Sequence, residues 1–262
     1  MIILKLGGSL ITDKSKKFVI RKRAVERVTK EIKESRALQN GLIIVHGGGS
    51  FGHPVAKEYG LNAGVVGPSQ LEGVAATRSA MTKLNTYVIG ALVKGSIPAV
   101  AVHTSAVAVC NSGRISSFEF GSIKNLLFKD MVPVLYGDVV ADDELNFSIL
   151  SGDQIVTYLS MKLKPERIIL ATDVDGVFTK DPKESIAGKE KARLIPELTQ
   201  QELDTINYGK KNDATGGIRG KLEELVSLAE NGYESYIINA LEKDRLRKAL
   251  SGKDVIGTRV GV

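Results

Sequence analysis

Glycine-rich segments that directly follow short apolar runs are the parts of this chain best suited to chemistry. The first is Lys5-Leu6-Gly7-Gly8-Ser9, and Lys14 comes five residues after it. Paired glycines let backbone N–H groups approach an anion closely, and a lysine at the end of a strand can direct its ammonium group to the same place. The segment therefore predicts a phosphate site, although two glycines after a strand also form ordinary tight turns.

A second segment, residues 46–54, reads His-Gly-Gly-Gly-Ser-Phe-Gly-His-Pro. Its glycines satisfy the G-x-G-x-x-G spacing of dinucleotide sites. Such a fingerprint normally opens the first βα unit, whereas here another glycine loop with a lysine precedes it. Pro54 fits the first turn of a helix, whose N-terminal N–H groups would point at an anion. We expect His53 to contact a ligand and His46 to be structural.

Three further segments add acidic and basic groups. Ser151-Gly152-Asp153 begins a predicted helix, where Ser or Asp is a common N-cap, but near two lysines a carboxylate can hold ammonium groups. Thr172-Asp173-Val174-Asp175-Gly176 places two acids after a strand, as in a metal site, a ribose site or a turn. Gly216-Gly217 opens another predicted helix, with Lys221 one turn inside.

The inventory of glycine, backbone N–H and lysine fits phosphoryl transfer, in which positioning and charge neutralisation do most of the catalysis. No Gly-x-x-x-x-Gly-Lys-Ser/Thr pattern occurs, so ATP would be bound without a P-loop. We see no nucleophile–base triad, and the three histidines have no metal-ligand spacing with Cys110. We therefore predict no protein-bound metal.

The elements that position these segments follow from hydrophobic patterning. Strands are predicted at 2–6, 42–45, 99–102, 132–136, 168–172 and 236–238, with a strand pair over 138–149. Helices are predicted around 24–32 and at 69–94, 217–229 and 241–250. Such alternation favours an α/β fold with a mostly parallel sheet between two helical layers. The loops at the carboxyl ends of the strands would then meet at one edge, where open α/β sheets bind ligands.

Composition is compatible with one globular domain. The 262 residues are 43% hydrophobic and 25% charged, and residues 180–195 look like a solvated surface loop. Lys and Arg give a net charge of +6 but are scattered, which favours a small anionic partner over nucleic acid. The single cysteine, Cys110, suits a buried position in a reducing cytoplasm. The N-terminal apolar run is too short for a signal peptide, and no segment has the ~18 apolar residues of a membrane span.

With these five segments in order, the chain resembles the amino acid kinase superfamily, and within it the archaeal-type isopentenyl phosphate kinases. The resemblance extends from Lys5 to Val260, and residues 46–53 are its most discriminating part. Tyr136-Gly137-Asp138 and Ser151-Gly152-Asp153 support it. It implies a three-layer α/β/α sandwich, MgATP as co-substrate with the magnesium carried by the nucleotide, and a homodimer. Residues 1–165 would bind the phosphoryl acceptor and residues 166–262 the nucleotide.

The resemblance also implies a role for each motif residue. Catalysis would depend on Lys5, Lys14, Asp153 and Lys221. The acceptor phosphate would be bound by Gly48, His53 and Gly152. ATP would be bound by Lys5, Leu6, Gly7, Gly8, Ser9, Gly49, Asp173, Asp175, Gly216 and Lys221. The predicted reaction is phosphorylation of isopentenyl phosphate to isopentenyl diphosphate.

The sequence is compatible with several alternative functions. The acceptor's carbon tail needs an apolar pocket, for which the predicted helix 69–94 offers Val74, Met81, Leu84 and Val88, each of which also suits the core. A fosfomycin kinase is the nearest alternative, because it is similar around residues 46–53. Another kinase of the same fold, a non-catalytic nucleotide sensor and an NAD(P) oxidoreductase are the others.

Overall fold

The computed structural model of the protein describes residues 1–180, 192–206 and 217–261. Their strands are β1 Ile2–Leu6, β2 Leu42–His46, β3 Ala99–Ala101, β4 Ala108–Asn111, β5 Arg114–Phe118, β6 Val132–Tyr136, β7 Asp138–Asp142, β8 Asn146–Leu150, β9 Arg167–Thr172, β10 Val177–Phe178, β11 Leu194–Ile195, β12 Glu197–Leu198, β13 Ser235–Asn239 and β14 Gly257–Val260. Their α-helices are α1 Gly8–Ile11, α2 Lys22–Lys33, α3 Gly49–Glu58, α4 Pro68–Lys94, α5 Thr104–Val107, α6 Gly121–Phe128, α7 Gly152–Leu163, α8 Gln200–Thr205, α9 Gly217–Glu230 and α10 Arg245–Leu250.

One large sheet has the strand order β12-β14-β13-β9-β1-β2-β6-β3. Neighbouring strands run parallel, apart from the antiparallel pair β13–β14. The predicted mostly parallel sheet is therefore confirmed. Strand β1 lies between β2 and β9, so the loops after these three strands open side by side at one edge. Residues on both sides of position 165 contribute strands to this sheet, and the division into acceptor and nucleotide parts stays a prediction.

Alternating side chains of the central strands fill two hydrophobic cores. Leu4 and Ile44 pack in the core that also contains residues of α2, α4 and α10. Ile3 and Ile43 pack in the core that contains residues of α7 and α9. The result is the predicted three-layer α/β/α sandwich. Because side chains two residues apart lie on the same face of a strand, Lys5 shares the α7 face with Ile3.

A second sheet, with the order β5-β4-β7-β8, contains the predicted strand pair 138–149. The sequence did not predict that β4 and β5 extend this pair. Asp142 joins its turns, because its carboxylate accepts N–H groups of Ser112, Gly113, Glu144 and Leu145 at 2.7–3.1 Å. Burial alone would raise the pKa of Asp142, but hydrogen bonds from the backbone outweigh it and hold the pKa at about 2.

Two helix boundaries differ from the prediction. Helix α3 begins at Gly49, so Pro54 lies inside the helix instead of in its first turn. Helix α10 begins at Arg245, not at residue 241, because Asp244 adopts a left-handed conformation with φ 64°. The buried carboxylate of Glu31 then caps this helix, accepting the N–H groups of Asp244 and Arg247 at 3.0 Å.

Three other expectations concern single regions. Cys110 is fully buried, as predicted, and burial raises the pKa of its thiol. The predicted surface loop at 180–195 lies mostly outside the described residues, and its end contributes β11. Among the helices that the structure describes, none combines the length and the apolar character needed to cross a membrane.

Candidate active site

The end of the central strand β1 carries a buried ion pair. Nζ of Lys5 donates to Oδ1 of Asp153 at 2.7 Å, and the two side chains are only 9% and 5% exposed. Asp153 reaches this position because Ser151 starts α7 there with a capping box, its hydroxyl accepting the N–H of Gln154 at 3.1 Å. The pair fixes one ammonium group at the edge of the sheet where the glycine loops open.

Two more lysines bring positive charge to the same place. Burial lowers the pKa of Lys5, the carboxylate of Asp153 opposes this shift, and the like charges of Lys221 and Lys14 lower the pKa further. Lys221 lies one turn inside α9, while Lys14 is exposed in the segment between α1 and α2. The charges of Lys14 and Lys221 therefore act on the ammonium group of Lys5, and such a concentration of positive charge is suited to a polyanion.

The glycine loops after β1 and β2 touch each other through their backbones. A Cβ on Gly8 would lie 2.4 Å from the backbone nitrogen of Gly49, and a Cβ on Gly49 would lie 2.0 Å from Oγ1 of Thr12. Thr12 bridges the loops: its hydroxyl donates to the Gly8 carbonyl at 2.7 Å and accepts the N–H of Ser50 at 2.9 Å. Side chains are thus excluded where the two loops meet.

The loop after β2 continues into α3 and places Gly48 beside His53. A Cβ on Gly48 would lie 3.4 Å from Cδ2 of His53 and 3.1 Å from Sδ of Met81. His53 is half-buried on α3. Gly152 lies nearby, where its Cβ would come within 3.4 Å of Cε of Lys5 and of the His46 carbonyl oxygen. Gly152 therefore lies between the ion pair and the end of β2.

His46 has a structural position beneath this loop, as the sequence indicated. Its ring nitrogens lie 3.1 Å from the carbonyl oxygen of Gly47 and 3.2 Å from the side-chain oxygen of Asn85. The ring stacks on that of Tyr136, with 5.3 Å between centroids. Burial lowers the pKa of His46 to about 4, so the ring is neutral at neutral pH.

On the other side of β1, the two acids after β9 are held by polar partners. The Ser9 hydroxyl donates to Oδ1 of Asp173 at 2.5 Å, and a guanidinium nitrogen of Arg21 lies 3.9 Å from Oδ2. Oδ1 of Asp175 accepts from Arg245 at 2.5 Å and from the Asn239 amide at 3.2 Å. The hydrogen bond from Arg245 lowers the pKa of Asp175 below its usual range, so this carboxylate is ionised at neutral pH.

A cavity of about 410 Å³ opens beside the ion pair, between α7, α9 and the turn that joins β4 to β5. Asp153, Lys221, Arg114 and Glu224 line it, and the last two form an ion pair across it. Its walls carry charged side chains, in contrast to the mainly apolar walls of most drug-sized pockets.

Residues 1–239 match the model of the amino acid kinase family. The chain belongs to the amino acid kinase family. It is 44% identical to the isopentenyl phosphate kinase of Methanothermobacter thermautotrophicus, over 99% of this chain and 98% of that protein. A solved isopentenyl phosphate kinase structure has a TM-score of 0.86 at 42% identity, covering 99% of each chain. An isopentenyl phosphate kinase substrate complex has a TM-score of 0.81 at 30% identity, covering 99% of this chain and 100% of that one.

Of the residues that the amino acid kinase resemblance assigns to ATP, two make backbone contacts with neighbouring strands or loops and one lies outside the described residues. Leu6 buries its side chain in the core, and its carbonyl accepts the N–H of Gly47 at 3.0 Å. Gly7 lies against the end of β9, where its N–H donates to the Ala171 carbonyl at 2.8 Å. Gly216 lies outside the described residues. The contacts of all three with ATP stay predictions.

The structure separates the four apolar candidates on α4. Leu84 and Val88 belong to the main core. Met81 lies directly against the second glycine loop, and Val74 belongs to a separate small cluster with Ala56, Leu61, Val65 and Val139. Because both are close to α3, Met81 and Val74 are the candidates that remain for the wall of an acceptor pocket.

Sequence reasoning missed Thr12, Arg21 and Arg245 as members of the site. Thr12 and Arg21 stand outside the glycine motifs, and Arg245 lies about 70 residues from the acid that it contacts. Isolated polar residues of this kind have no spacing signal, because their role depends on where distant elements pack. A weak signal for the two arginines was available. Both lie near the start of a helix, and the acids that they contact have no basic residue beside them in the sequence.

Proposed function

We propose that this amino acid kinase family member transfers the γ-phosphoryl group of ATP to isopentenyl phosphate, forming isopentenyl diphosphate and ADP. The observation that carries the proposal is the buried Lys5–Asp153 pair with Lys14 and Lys221 beside it. Relatives named isopentenyl phosphate kinase that match over almost the whole chain support the choice of acceptor.

The chemistry requires positioning more than activation. The second pKa of a phosphate monoester is near 6, so at pH 7 the acceptor oxygen is already an anionic nucleophile and needs no general base. The obstacle is the repulsion between two polyanions. Lys5, held by Asp153, together with Lys14 and Lys221, would offset this repulsion and stabilise the charge on the transferring group.

On the acceptor side, Gly48, His53 and Gly152 would bind the phosphate of isopentenyl phosphate. The backbone N–H groups at the start of α3 and the partial positive charge of the helix N-terminus favour an anion there. Met81 and Val74 would contact the apolar tail. Smaller residues at these two positions would then admit longer prenyl monophosphates.

On the nucleotide side, Gly7, Gly8, Ser9 and Gly49 would contact the phosphates of ATP, with Gly216 at the start of α9. Asp173 and Asp175 would face the nucleotide, both oriented by polar partners. Among the described residues no group of three or more histidine, cysteine or acidic side chains forms a metal cluster. In the proposed reaction magnesium arrives on the nucleotide, where the ion neutralises phosphate charge.

We also propose a cytoplasmic homodimer. The dimer rests on the family resemblance, and the cytoplasm rests on a single buried cysteine that suits a reducing compartment. Light scattering after gel filtration tests the assembly, because a chain of 28.2 kDa would elute as a particle of twice that mass.

ADP release in the presence of MgATP tests the acceptor. Isopentenyl phosphate, dimethylallyl phosphate, fosfomycin, UMP and acetylglutamate form the panel, and we expect the highest kcat/KM with isopentenyl phosphate. Turnover of fosfomycin at a higher kcat/KM would instead favour the fosfomycin kinase alternative. Absence of turnover with every acceptor, together with a thermal shift by ATP, would favour a nucleotide sensor.

His53→Ala tests how the acceptor is bound. Loss of a hydrogen bond to a charged phosphate should raise the KM for isopentenyl phosphate about 10- to 100-fold and leave the KM for ATP unchanged. Lys57→Ala is the matched control, because Lys57 is exposed on the same helix and should have no effect. Unchanged kinetics of the His53 variant would contradict its role.

A further inference from the structure

Residues 13–20 form a closed loop between α1 and α2, which we call the arch. Its two ends are joined by an isolated antiparallel bridge between Thr12 and Ile20 and by a 2.9 Å hydrogen bond from the Asp13 N–H to the Val19 carbonyl. The N–H of Arg21 donates to the Ile11 carbonyl at 2.9 Å. The base of the arch is therefore fixed to α1.

Lys14 lies in the first turn of the arch. The carboxylate of Asp13 accepts the N–H and the hydroxyl of Ser15 at 2.9 and 2.8 Å, which closes a turn around Lys14. The Lys14 side chain is exposed, yet its charge acts on Lys5. In contrast to Lys5, Lys14 is carried by a loop, so its distance from the reacting phosphates depends on how the arch is held.

The C-terminal limb of the arch, Phe18 and Val19, docks on α3 at a carbonyl that Pro54 leaves without its usual donor. Pro54 has no N–H, so it cannot donate to the carbonyl of Ser50 four residues earlier. The N–H of Phe18 donates to that carbonyl at 3.1 Å, and the Ser50 hydroxyl donates back to the Val19 carbonyl at 3.4 Å. A proline inside a helix thus creates the acceptor that binds the arch.

Phe18 adopts an unfavourable conformation to make this contact. Its φ is 60°, in the left-handed region that is unfavourable for a residue with a Cβ. Its ring meets that of Phe51 edge to face, with 5.5 Å between centroids, although the residue stays 48% exposed. Residues held in rare backbone conformations are concentrated at functional sites, where the surrounding contacts maintain them.

We propose that Phe18 is a positioning residue, which docks the arch on α3 through its N–H and its ring and so places Lys14 at the phosphoryl group being transferred. The inference rests on the proposed function, because it gives Lys14 a catalytic role. It adds that the helix that binds the acceptor also sets the position of a lysine that acts on the donor.

Phe18→Ala removes the ring contact and keeps the backbone N–H. Because a displacement of about 1 Å can cost up to ~10²-fold in rate, we expect kcat to fall about 10-fold or more while the KM for ATP changes less than about 2-fold. Phe18→Tyr keeps the ring and should retain wild-type kcat. Val19→Ala is the matched control, because it shortens an exposed side chain of the arch and leaves the hydrogen bonds of its backbone in place.

A double-mutant cycle with Lys14→Ala tests whether Phe18 acts through the lysine. If it does, Phe18→Ala should change kcat less than about 2-fold in the Lys14→Ala background. Equal loss of kcat in both backgrounds, or an unchanged kcat in the single variant, would overturn the proposal.

Limited trypsin digestion gives a readout that does not depend on activity. Freed from α3, the arch should be cleaved after Lys14, Lys16 or Lys17 about fivefold faster in Phe18→Ala than in the wild type, at closely similar Tm. Equal digestion rates would overturn the docking role. A wild-type protein without activity on isopentenyl phosphate would instead refute the proposed function, and the digestion result would still decide whether Phe18 holds the arch.

Discussion

The two sides of the sheet edge around Lys5 are built from different materials. Towards β2, the edge consists of backbone packed on backbone, with Gly8 against Gly49 above the buried ring of His46. Towards β9, the edge consists of charged side chains, with Asp173 beside Arg21 and Asp175 bonded to Arg245. One side is shaped by the absence of side chains and the other by their pairing.

This difference determines how each side responds to substitution. A backbone contact leaves no room for adjustment, since a single added methyl group must push two loops apart. A pair of charges at a partly exposed site can be broken at lower cost, because water and neighbouring polar groups replace part of the lost interaction. The β2 side should therefore tolerate less change than the β9 side.

The largest effect is expected from Gly8→Ala. The new Cβ would lie 2.4 Å from the nitrogen of Gly49, so the two loops must separate, and kcat/KM should fall by about 10²-fold or more. Steady-state kinetics with isopentenyl phosphate and ATP measure the loss.

Gly90→Ala is the control for the same substitution elsewhere. Gly90 is exposed in α4, and a Cβ there would meet nothing within 4 Å. We expect unchanged kinetics and a free energy of unfolding about 0.5–1 kcal/mol higher, as for alanine in place of glycine in a helix. Comparable kinetics of the two variants would show that the contact between the loops is not needed.

A smaller effect, on stability alone, is expected from the buried ring of His46 at the end of β2. Burial holds the pKa of His46 at about 4, against about 6.5 in the unfolded chain. Between these values the unfolded chain binds more protons, so stability is lost as the pH falls from about 6.5 towards 4, by about 2–3 kcal/mol at most.

Urea unfolding at pH 7 and at pH 4.5 measures this contribution. In His46→Gln, the free energy of unfolding should change less between the two pH values than in the wild type. The same change in both proteins would mean that His46 already carries its proton in the folded state or is accessible to water.

The smallest effect is expected on the β9 side, from Arg245→Gln. Without its guanidinium partner, Asp175 keeps only the Asn239 amide, and we expect the KM for ATP to rise about 5- to 10-fold with little change in kcat. Arg247→Gln is the matched control on the same helix, because Arg247 pairs with Asp244 instead. A fall in kcat at constant KM for ATP would place Arg245 in the chemical step.

The sequence predicted the elements that carry the site well, because the strands of a buried parallel sheet are short apolar runs and the phosphate loops follow them. It did not predict that β4 and β5 join β7 and β8, since the pairing of Val109 with Ala141 links residues far apart in the chain. We predicted Pro54 in the first turn of its helix, because proline is most often found there. It lies further inside α3, where the N–H of Phe18 donates to the Ser50 carbonyl that Pro54 cannot bind.

Side-chain partners within the site were predictable only in part. The sequence placed Asp153 near two lysines, although the strand before it, β8, belongs to the second sheet. Arg21 and Arg245 had no comparable signal, because they approach the acids from helices whose packing angle no local pattern specifies. Tertiary packing, and not motif spacing, decides such contacts.

The strand order β9-β1-β2 also fixes the separation of the loops that follow these strands. Neighbouring strands of a sheet are about 4.8 Å apart, so the loops on either side of Lys5 are separated by roughly two such steps. This spacing is set by the backbone hydrogen bonds between the strands and does not vary with the side chains of the loops. In the proposed reaction, new acceptors could be accommodated by remodelling the walls of the acceptor pocket, while the separation of these loops stays constant.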